Sequence, residues 1–111
     1  MDARASKALR AAVVRLASAA DEQIEYLHHL GLNGLSDELA LDFDDLFAVH
    51  RTNPDSLGPA GGVLVDLDHT LERMSGEANA HLWTHQALRS APEWREVRAL
   101  AAYALTVLPE A

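Results

Sequence analysis

Apolar residues recur every three or four positions along most of this chain, and this helical period restricts the fold more than any other feature. No segment shows the two-residue alternation that is typical of a half-buried strand. The chain has 111 residues, of which 49% are hydrophobic, so one domain can bury a core of its own. We therefore predict a single all-α domain over residues 1–111, a compact four-helix bundle with one long linker between helix pairs.

The first half of the chain predicts two helices. The first runs without interruption from about Ala3 to Leu30, and it ends at Gly31 and the Asn33–Gly34 turn. The second begins with Ser36 as its N-cap and packs against the first as an antiparallel hairpin, because the connection is short. Their predicted core-facing positions are Leu9, Val13, Leu16, Ala20, Ile24 and Leu27 in the first helix, and Leu39, Phe43, Leu46, Phe47 and His50 in the second.

The second half predicts a linker and two further helices. Pro and Gly are frequent from Arg51 to Gly62, which predicts the linker. The third helix runs from about Val63 to Leu88, and Ser75–Gly76 weakens its middle. The fourth starts at Ser90-Ala91-Pro92-Glu93, a predicted capping box with Pro in the first turn. The predicted core positions are Leu64, Leu67, Leu71, Met74, Ala78, His85 and Leu88, and then Trp94, Val97, Ala101, Leu105 and Leu108.

Negative charge is concentrated between Leu16 and His50, where eight carboxylates occur without a single Lys or Arg. The remaining nine acids balance the nine bases of the chain, so this segment carries the whole net charge of −8. A field of one sign attracts cationic partners and repels nucleic acid. The eight residues are Asp21, Glu22, Glu25, Asp37, Glu38, Asp42, Asp44 and Asp45.

This charge distribution favours a non-enzymatic module that binds a basic protein, like a small inhibitor, an immunity protein or an antitoxin. Trp83 lies opposite the apolar stripe of its helix, so we expect it to be exposed and available to the partner. The predicted partner-binding residues are Glu22, Glu25, Glu38, Asp42, Asp45 and Trp83. We predict no catalytic residue, no cofactor and no bound metal for this module.

An alternative function is a magnesium-dependent enzyme. Glu22-Gln23-Ile24-Glu25, together with Asp42-Phe43-Asp44-Asp45, resembles the paired acidic motifs of the all-α nucleotide pyrophosphohydrolases of the MazG-like group. The resemblance covers only these two motifs, and the second motif of the family begins with Glu where this chain has Asp42. It implies a Mg²⁺ ion held against nucleotide phosphates by Glu22, Glu25, Asp42 and Asp45. These side chains have to converge between two helices for that function.

The segment from Val63 to Leu71 resembles the first motif of haloacid-dehalogenase-type phosphatases. That resemblance implies a strand followed by Asp66 as nucleophile and Asp68 as general acid and base. Only Leu71 to Ala111 follow, which is too little chain for the alternating strands and helices of that fold. We therefore interpret Asp66 and Asp68 as residues in the first turns of a helix.

Two further alternatives concern histidines and a second copy of the chain. His81 and His85, with Glu77 one turn earlier, have the spacing of zinc ligands on a helix, and His28 or His50 is a candidate third ligand. The sequence leaves open whether His81 and His85 bind a metal. Leu100, Tyr103 and Val107 form a second apolar face on the last helix, which is typical of a central helix or of a homodimer interface.

The sequence also bears on the compartment. Without Cys, the chain has neither disulfides nor cysteine metal sites. The longest stretch without charge, Ala99 to Pro109, is too short to span a membrane. We expect a cytoplasmic protein that does not bind membranes, and the composition rich in Ala, Leu and Arg is typical of a GC-rich bacterial genome.

Overall fold

The computed structural model describes residues 7–31 and 36–108, and within these ranges the chain is helical without any strand. The all-α prediction is confirmed there. The start of the first predicted helix at Ala3 and the Asn33–Gly34 turn lie outside the described residues. The α-helices are α1 (Lys7–Ala17), α2 (Ala20–His29), α3 (Asp37–Phe47), α4 (Pro59–Arg73), α5 (His85–Ser90) and α6 (Pro92–Val107). Short 3₁₀ helices cover Ala48–His50, Pro54–Leu57 and Glu77–Trp83.

Helix α6 is central to the packing, since it contacts both α1 and α4, while α1 also packs against α3. This arrangement explains why α6 has apolar residues on more than one face. The Arg10 side chain donates a hydrogen bond to the Leu108 carbonyl (3.0 Å), which joins the start of α1 to the end of α6. The largest fully buried side chains include Trp94, Phe43, Phe47, Leu9, Leu16, Leu64 and Leu67.

The first predicted helix is interrupted, so the prediction of one continuous element is wrong. Ala19 adopts an extended conformation (φ −62°, ψ 152°) between α1 and α2. The side-chain amide of Gln23 donates to the carbonyls of Arg15 (3.0 Å) and Leu16 (3.2 Å), which the end of α1 leaves without helical partners. The predicted antiparallel hairpin therefore involves only the first part of the predicted helix. Helix α3 packs against α1, while α2 contacts α5.

The third predicted helix is also interrupted. It begins earlier than predicted, with Pro59 in the first turn of α4, and it ends at Arg73. Gly76 has a positive φ of 100°, a conformation that an L side chain rarely adopts, so the predicted weakness at Ser75–Gly76 is a complete break. Together, these two interruptions replace the four predicted helices by six α-helices in the described ranges. Val63 to Asp68 lie within α4, which confirms the helical interpretation of that segment.

Two predicted caps differ from the structure in their hydrogen bonds. Ser36 is the N-cap of α3, but its φ of −106° and ψ of −3° are not the extended values that aim a capping hydroxyl at the helix. The N-cap of α6 is Ala91, and Pro92 follows in the first turn. The Ser90 hydroxyl donates instead to the Gln86 carbonyl (2.9 Å), so Ser90 does not form the predicted capping box.

Most of the predicted core positions are buried. Leu46 and Leu105 are the main exceptions on the long helices, because each is only partly buried at the edge of the core. Ala78 is exposed, since the helix that was expected to turn it inward ends before it. None of the helices in the described ranges is long and apolar enough to cross a membrane.

Candidate functional site

Three arginines from outside the acidic segment reach into it, which the sequence did not reveal. Arg15 lies 3.6 Å from the Asp42 carboxylate, and Arg89 lies 3.1 Å from that of Asp21. The third, Arg51, contacts the Asp44 carboxylate. These arginines therefore neutralise part of the negative charge of the segment. The carboxylates that they do not contact are the ones available to a partner.

Asp42 lies at a junction between three helices rather than pointing freely into solvent. It accepts a hydrogen bond from the Tyr26 hydroxyl (3.1 Å), and the Arg15 guanidinium lies 4.7 Å from the centre of the Tyr26 ring. Burial raises the pKa of Tyr26, Arg15 opposes that rise, and the hydrogen bond to Asp42 adds to it. Asp42 thus connects α1, α2 and α3, and its substitution is expected to affect the fold as well as the surface.

Arg51 joins the end of α3 to α4. Its guanidinium donates to both carboxylate oxygens of Asp68, at 2.9 and 3.0 Å, and it also pairs with Asp44. The hydrogen bonds that Arg51 donates to Asp68 raise the pKa of Arg51, burial lowers it, and Asp44 raises it further. The guanidinium carbon lies 5.6 Å from the centre of the Phe47 ring. Asp44 and Asp68 therefore act in the packing of these helices.

Three of the carboxylates that no arginine contacts lie on the outer side of α3. At about 100° per residue, Asp37, Leu41, Asp45 and Glu38 follow one another around a quarter of the helix surface. We call these four residues the acidic face. Burial first, then a hydrogen bond to Asp42 and the charges of Asp42 and Asp45, raise the pKa of Glu38. Leu41, in the middle, is 52% exposed, and none of the three carboxylates pairs with a base among the described residues.

The carboxylates of α2 are arranged differently. Glu22 accepts a hydrogen bond from the Ala19 backbone N–H (3.3 Å) and so caps its own helix. Glu25 is exposed on the same helix. Glu22 and Glu25 do not form a common ligand set with Asp42 and Asp45, which the magnesium-site alternative requires. Across residues 7–31 and 36–108, no group of three or more His, Asp or Glu side chains is arranged to hold a metal ion.

The predicted histidine ladder is divided between two elements. His81 lies in the 3₁₀ helix Glu77–Trp83 and His85 begins α5, with the extended residue Thr84 between them. They therefore do not share the face of one helix as predicted. The ring of His85 lies instead beside that of His28 in α2, with 5.4 Å between the ring centres.

No protein-family model, curated protein or solved structure matches this chain. Its function is therefore inferred from its own side chains. The face proposed for a second copy lies on α6, where Tyr103 is 58% exposed while Leu100 and Val107 are partly buried.

Trp83 is half-buried, so the prediction of an exposed tryptophan is wrong. Its indole N–H donates to the Met74 carbonyl (2.8 Å), and its ring packs edge-to-face against Trp94 with 5.3 Å between centres. The helical phase failed here because the third predicted helix ends before Trp83. One side of Trp83 nevertheless lines a pocket that adjoins Leu41.

Proposed function

We propose that this protein is a non-enzymatic cytoplasmic module that binds a basic protein partner through the acidic face of α3. The observation that carries the proposal is a half-exposed Leu41 with Asp37, Glu38 and Asp45 around it. An apolar centre with a charged rim is the usual composition of a protein interface. The partner is therefore expected to present an apolar side chain surrounded by Lys or Arg.

Repulsion between the acidic face and the neighbouring Asp42 opposes folding, which favours a role in binding over a role in stability. Pairs of like charge four residues apart on a helix cost a few tenths of a kcal/mol, and Glu38 and Asp42 form such a pair. A cationic partner would remove this repulsion when it binds. Small acidic inhibitors that neutralise a basic toxin or enzyme work on this principle, and we propose this class for the protein.

The test measures association kinetics with a partner captured from the native host by the immobilised protein. The double variant Glu38→Lys/Asp45→Lys reverses two charges of the acidic face while it leaves the Asp42 junction intact. We expect its association rate to fall about tenfold or more, because electrostatic steering accelerates encounter by ~10–10³-fold. Raising the salt concentration should slow the wild type in the same way, since the screening length is only ~8 Å at physiological ionic strength.

The matched control is Asp66→Lys/Glu93→Lys, because neither of these residues lines a pocket with Leu41. Both of these residues are exposed, and the control changes the net charge by the same amount at a different place. It should retain most of the wild-type association rate, and circular dichroism should show that both variants are folded. Equal slowing by the two double variants, or association that ignores salt, would mean that the acidic face serves only solubility.

A further inference from the structure

A pocket of about 550 Å³ opens beside the acidic face, between the first turns of α3 and the segment from Ser75 to Thr84. Its volume lies within the range of ~300–1,000 Å³ that is usual for ligand sites. The lining is mainly apolar, with Ala40, Leu41, Ala80 and Trp83 as its walls. Two carboxylates, Asp37 and Glu77, also line it.

The wall opposite α3 is held by hydrogen bonds to the end of α4. The Asn79 side-chain amide donates to the carbonyls of Arg73 (3.1 Å) and Ser75 (2.9 Å), which the end of α4 leaves without helical partners. Trp83 is fixed by its hydrogen bond to Met74 and by its contact with Trp94. The walls are therefore formed before any ligand arrives, which lowers the entropic cost of binding.

The chemistry of the pocket favours a guanidinium group. Because the Trp83 N–H is already used, the indole offers its carbon surface to a ligand. Asp37 and Glu77 are exposed carboxylates, and neither pairs with a base among the residues that the structure describes. An arginine side chain stacks on aromatic surface and spreads five N–H donors over carboxylate acceptors, whereas lysine offers a compact charge that is more strongly hydrated.

We infer that this pocket receives an arginine side chain of the basic partner, an inference that rests on the proposed function. Leu41 belongs both to the acidic face and to the pocket lining, so a partner that covers the face also covers the pocket. Arginine and tryptophan are the residue types most often found where a few contacts supply most of the binding energy. The acidic face would thus guide the partner to its place, and the pocket would hold it there.

The first test uses two short probes, the acetylated and amidated tripeptide Leu-Arg-Leu and the same peptide with citrulline in place of arginine. Citrulline keeps the shape of arginine but lacks its charge. Titration is followed by tryptophan fluorescence, since Trp83 lines the pocket and the only other tryptophan, Trp94, is fully buried. We expect the arginine peptide to bind about tenfold more tightly. Equal affinity of the two peptides would overturn the inference.

Variants locate the binding. Asp37→Asn and Glu77→Gln should each weaken the arginine peptide several-fold, while Glu72→Gln, an exposed residue outside the pocket lining, should not. If all three variants bind the peptide as the wild type does, the arginine does not enter this pocket and the inference is wrong.

Kinetics with the captured partner separate this inference from the proposed function. Neutralising Glu77, which lines the pocket but lies outside the acidic face, should speed dissociation several-fold, because truncating a paired and desolvated charge acts mainly on the dissociation rate. Reversing Glu38 and Asp45 should instead slow association. If the variant with Glu77 neutralised dissociates from the partner as slowly as the wild type, the arginine pocket alone is refuted. Unchanged association for the charge-reversed variant would refute the proposed function instead.

Discussion

Single residues decide which parts of the acidic segment are available to a partner. Arg51 engages Asp44 and Asp68, and Arg15 engages Asp42, so these carboxylates contribute to the fold. Both arginines lie immediately outside the acidic segment in the sequence. The sequence did not show that their side chains point towards the carboxylates of that segment. The acidic face contains the carboxylates of α3 that these ion pairs leave unpaired.

Gly61 is the residue on which the contact between α4 and the Pro54–Leu57 turn depends. A Cβ atom at this position would overlap the Pro54 carbonyl, whereas one at Gly62 would meet nothing within 4 Å. We expect Gly61→Ala to destabilise the protein by roughly 1–3 kcal/mol, because the turn has to move away from the helix. Gly62→Ala should instead stabilise it by up to about 1 kcal/mol through helix propensity.

The measurement is the urea unfolding midpoint of both glycine variants beside the wild type. The comparison is a close one, since the two residues are adjacent in the same helix and receive the same methyl group. Equal shifts of the midpoint for Gly61→Ala and Gly62→Ala would show that the close approach to Pro54 is not a constraint on the fold.

At the scale of elements, the break between α1 and α2 depends on a buried polar side chain. Gln23 is 1% exposed. Its side-chain oxygen accepts a hydrogen bond from Arg98 of α6 (3.2 Å), and its side-chain nitrogen donates to the backbone carbonyls at the end of α1. Arg98 also donates to the Leu88 carbonyl at 3.0 Å. Burial, with the charge of Arg95, lowers the pKa of Arg98. This network satisfies the polar groups that the break exposes.

Removing that network should be costly. Gln23→Ala leaves the buried Leu16 carbonyl without its hydrogen-bond donor, and it removes one hydrogen bond each from the Arg15 carbonyl and the Arg98 guanidinium. An unsatisfied buried polar group costs ~1–3 kcal/mol. We expect a loss of stability of about that size by chemical denaturation. Gln86→Ala, an exposed glutamine in α5, should change the free energy of unfolding by less than about 0.5 kcal/mol. Equal effects of the two substitutions would show that the Gln23 network does not support the break.

The two helix breaks differ in how far the sequence could predict them. Ser75–Gly76 contains a glycine that adopts positive φ, and this glycine predicts a weakened helix at that point. Ser18–Ala19 contains no residue that stops a helix, and the apolar period continues across it. The break there is stabilised by Gln23 together with Arg98, and Arg98 lies 75 residues further along the chain than Gln23. Periodicity therefore predicted which residues are buried more reliably than where the helices end.

At the scale of the whole molecule, the candidate site was predicted only in part. The charge count directed attention to α2 and α3, but the pocket between α3 and Trp83 depends on a packing that no local pattern encodes. The same packing separates the acidic face from the ion-paired carboxylates. Glu38 belongs to the acidic face, and it also interacts with Asp42, which is paired with Arg15. The titration of Glu38 therefore depends on both sets of carboxylates.

Stability should depend on pH through Glu38 in a definite direction. Its pKa in the folded protein is raised above the ordinary value of 4.5, chiefly by burial and then by Asp42 and Asp45. The stabilising contribution of the protonated form is therefore fully present below pH 4.5 and is lost as the pH rises through the folded pKa. Glu38→Gln should accordingly be more stable than the wild type at pH 7, by roughly a few tenths of a kcal/mol, and this gain should disappear by about pH 4.

Thermal unfolding of Glu38→Gln and the wild type at pH 7 and pH 4 measures this difference directly. Asp66→Asn controls for the lower net charge, because it neutralises an exposed carboxylate on α4 that lines no pocket with Leu41. At 1 M salt, where the screening length is ~3 Å, the part of the gain that comes from the charges of Asp42 and Asp45 should shrink. A gain that persists unchanged at pH 4, or that Asp66→Asn reproduces in full, would mean that repulsion of Glu38 by Asp42 and Asp45 does not oppose folding. A cationic partner would then have no such repulsion to relieve.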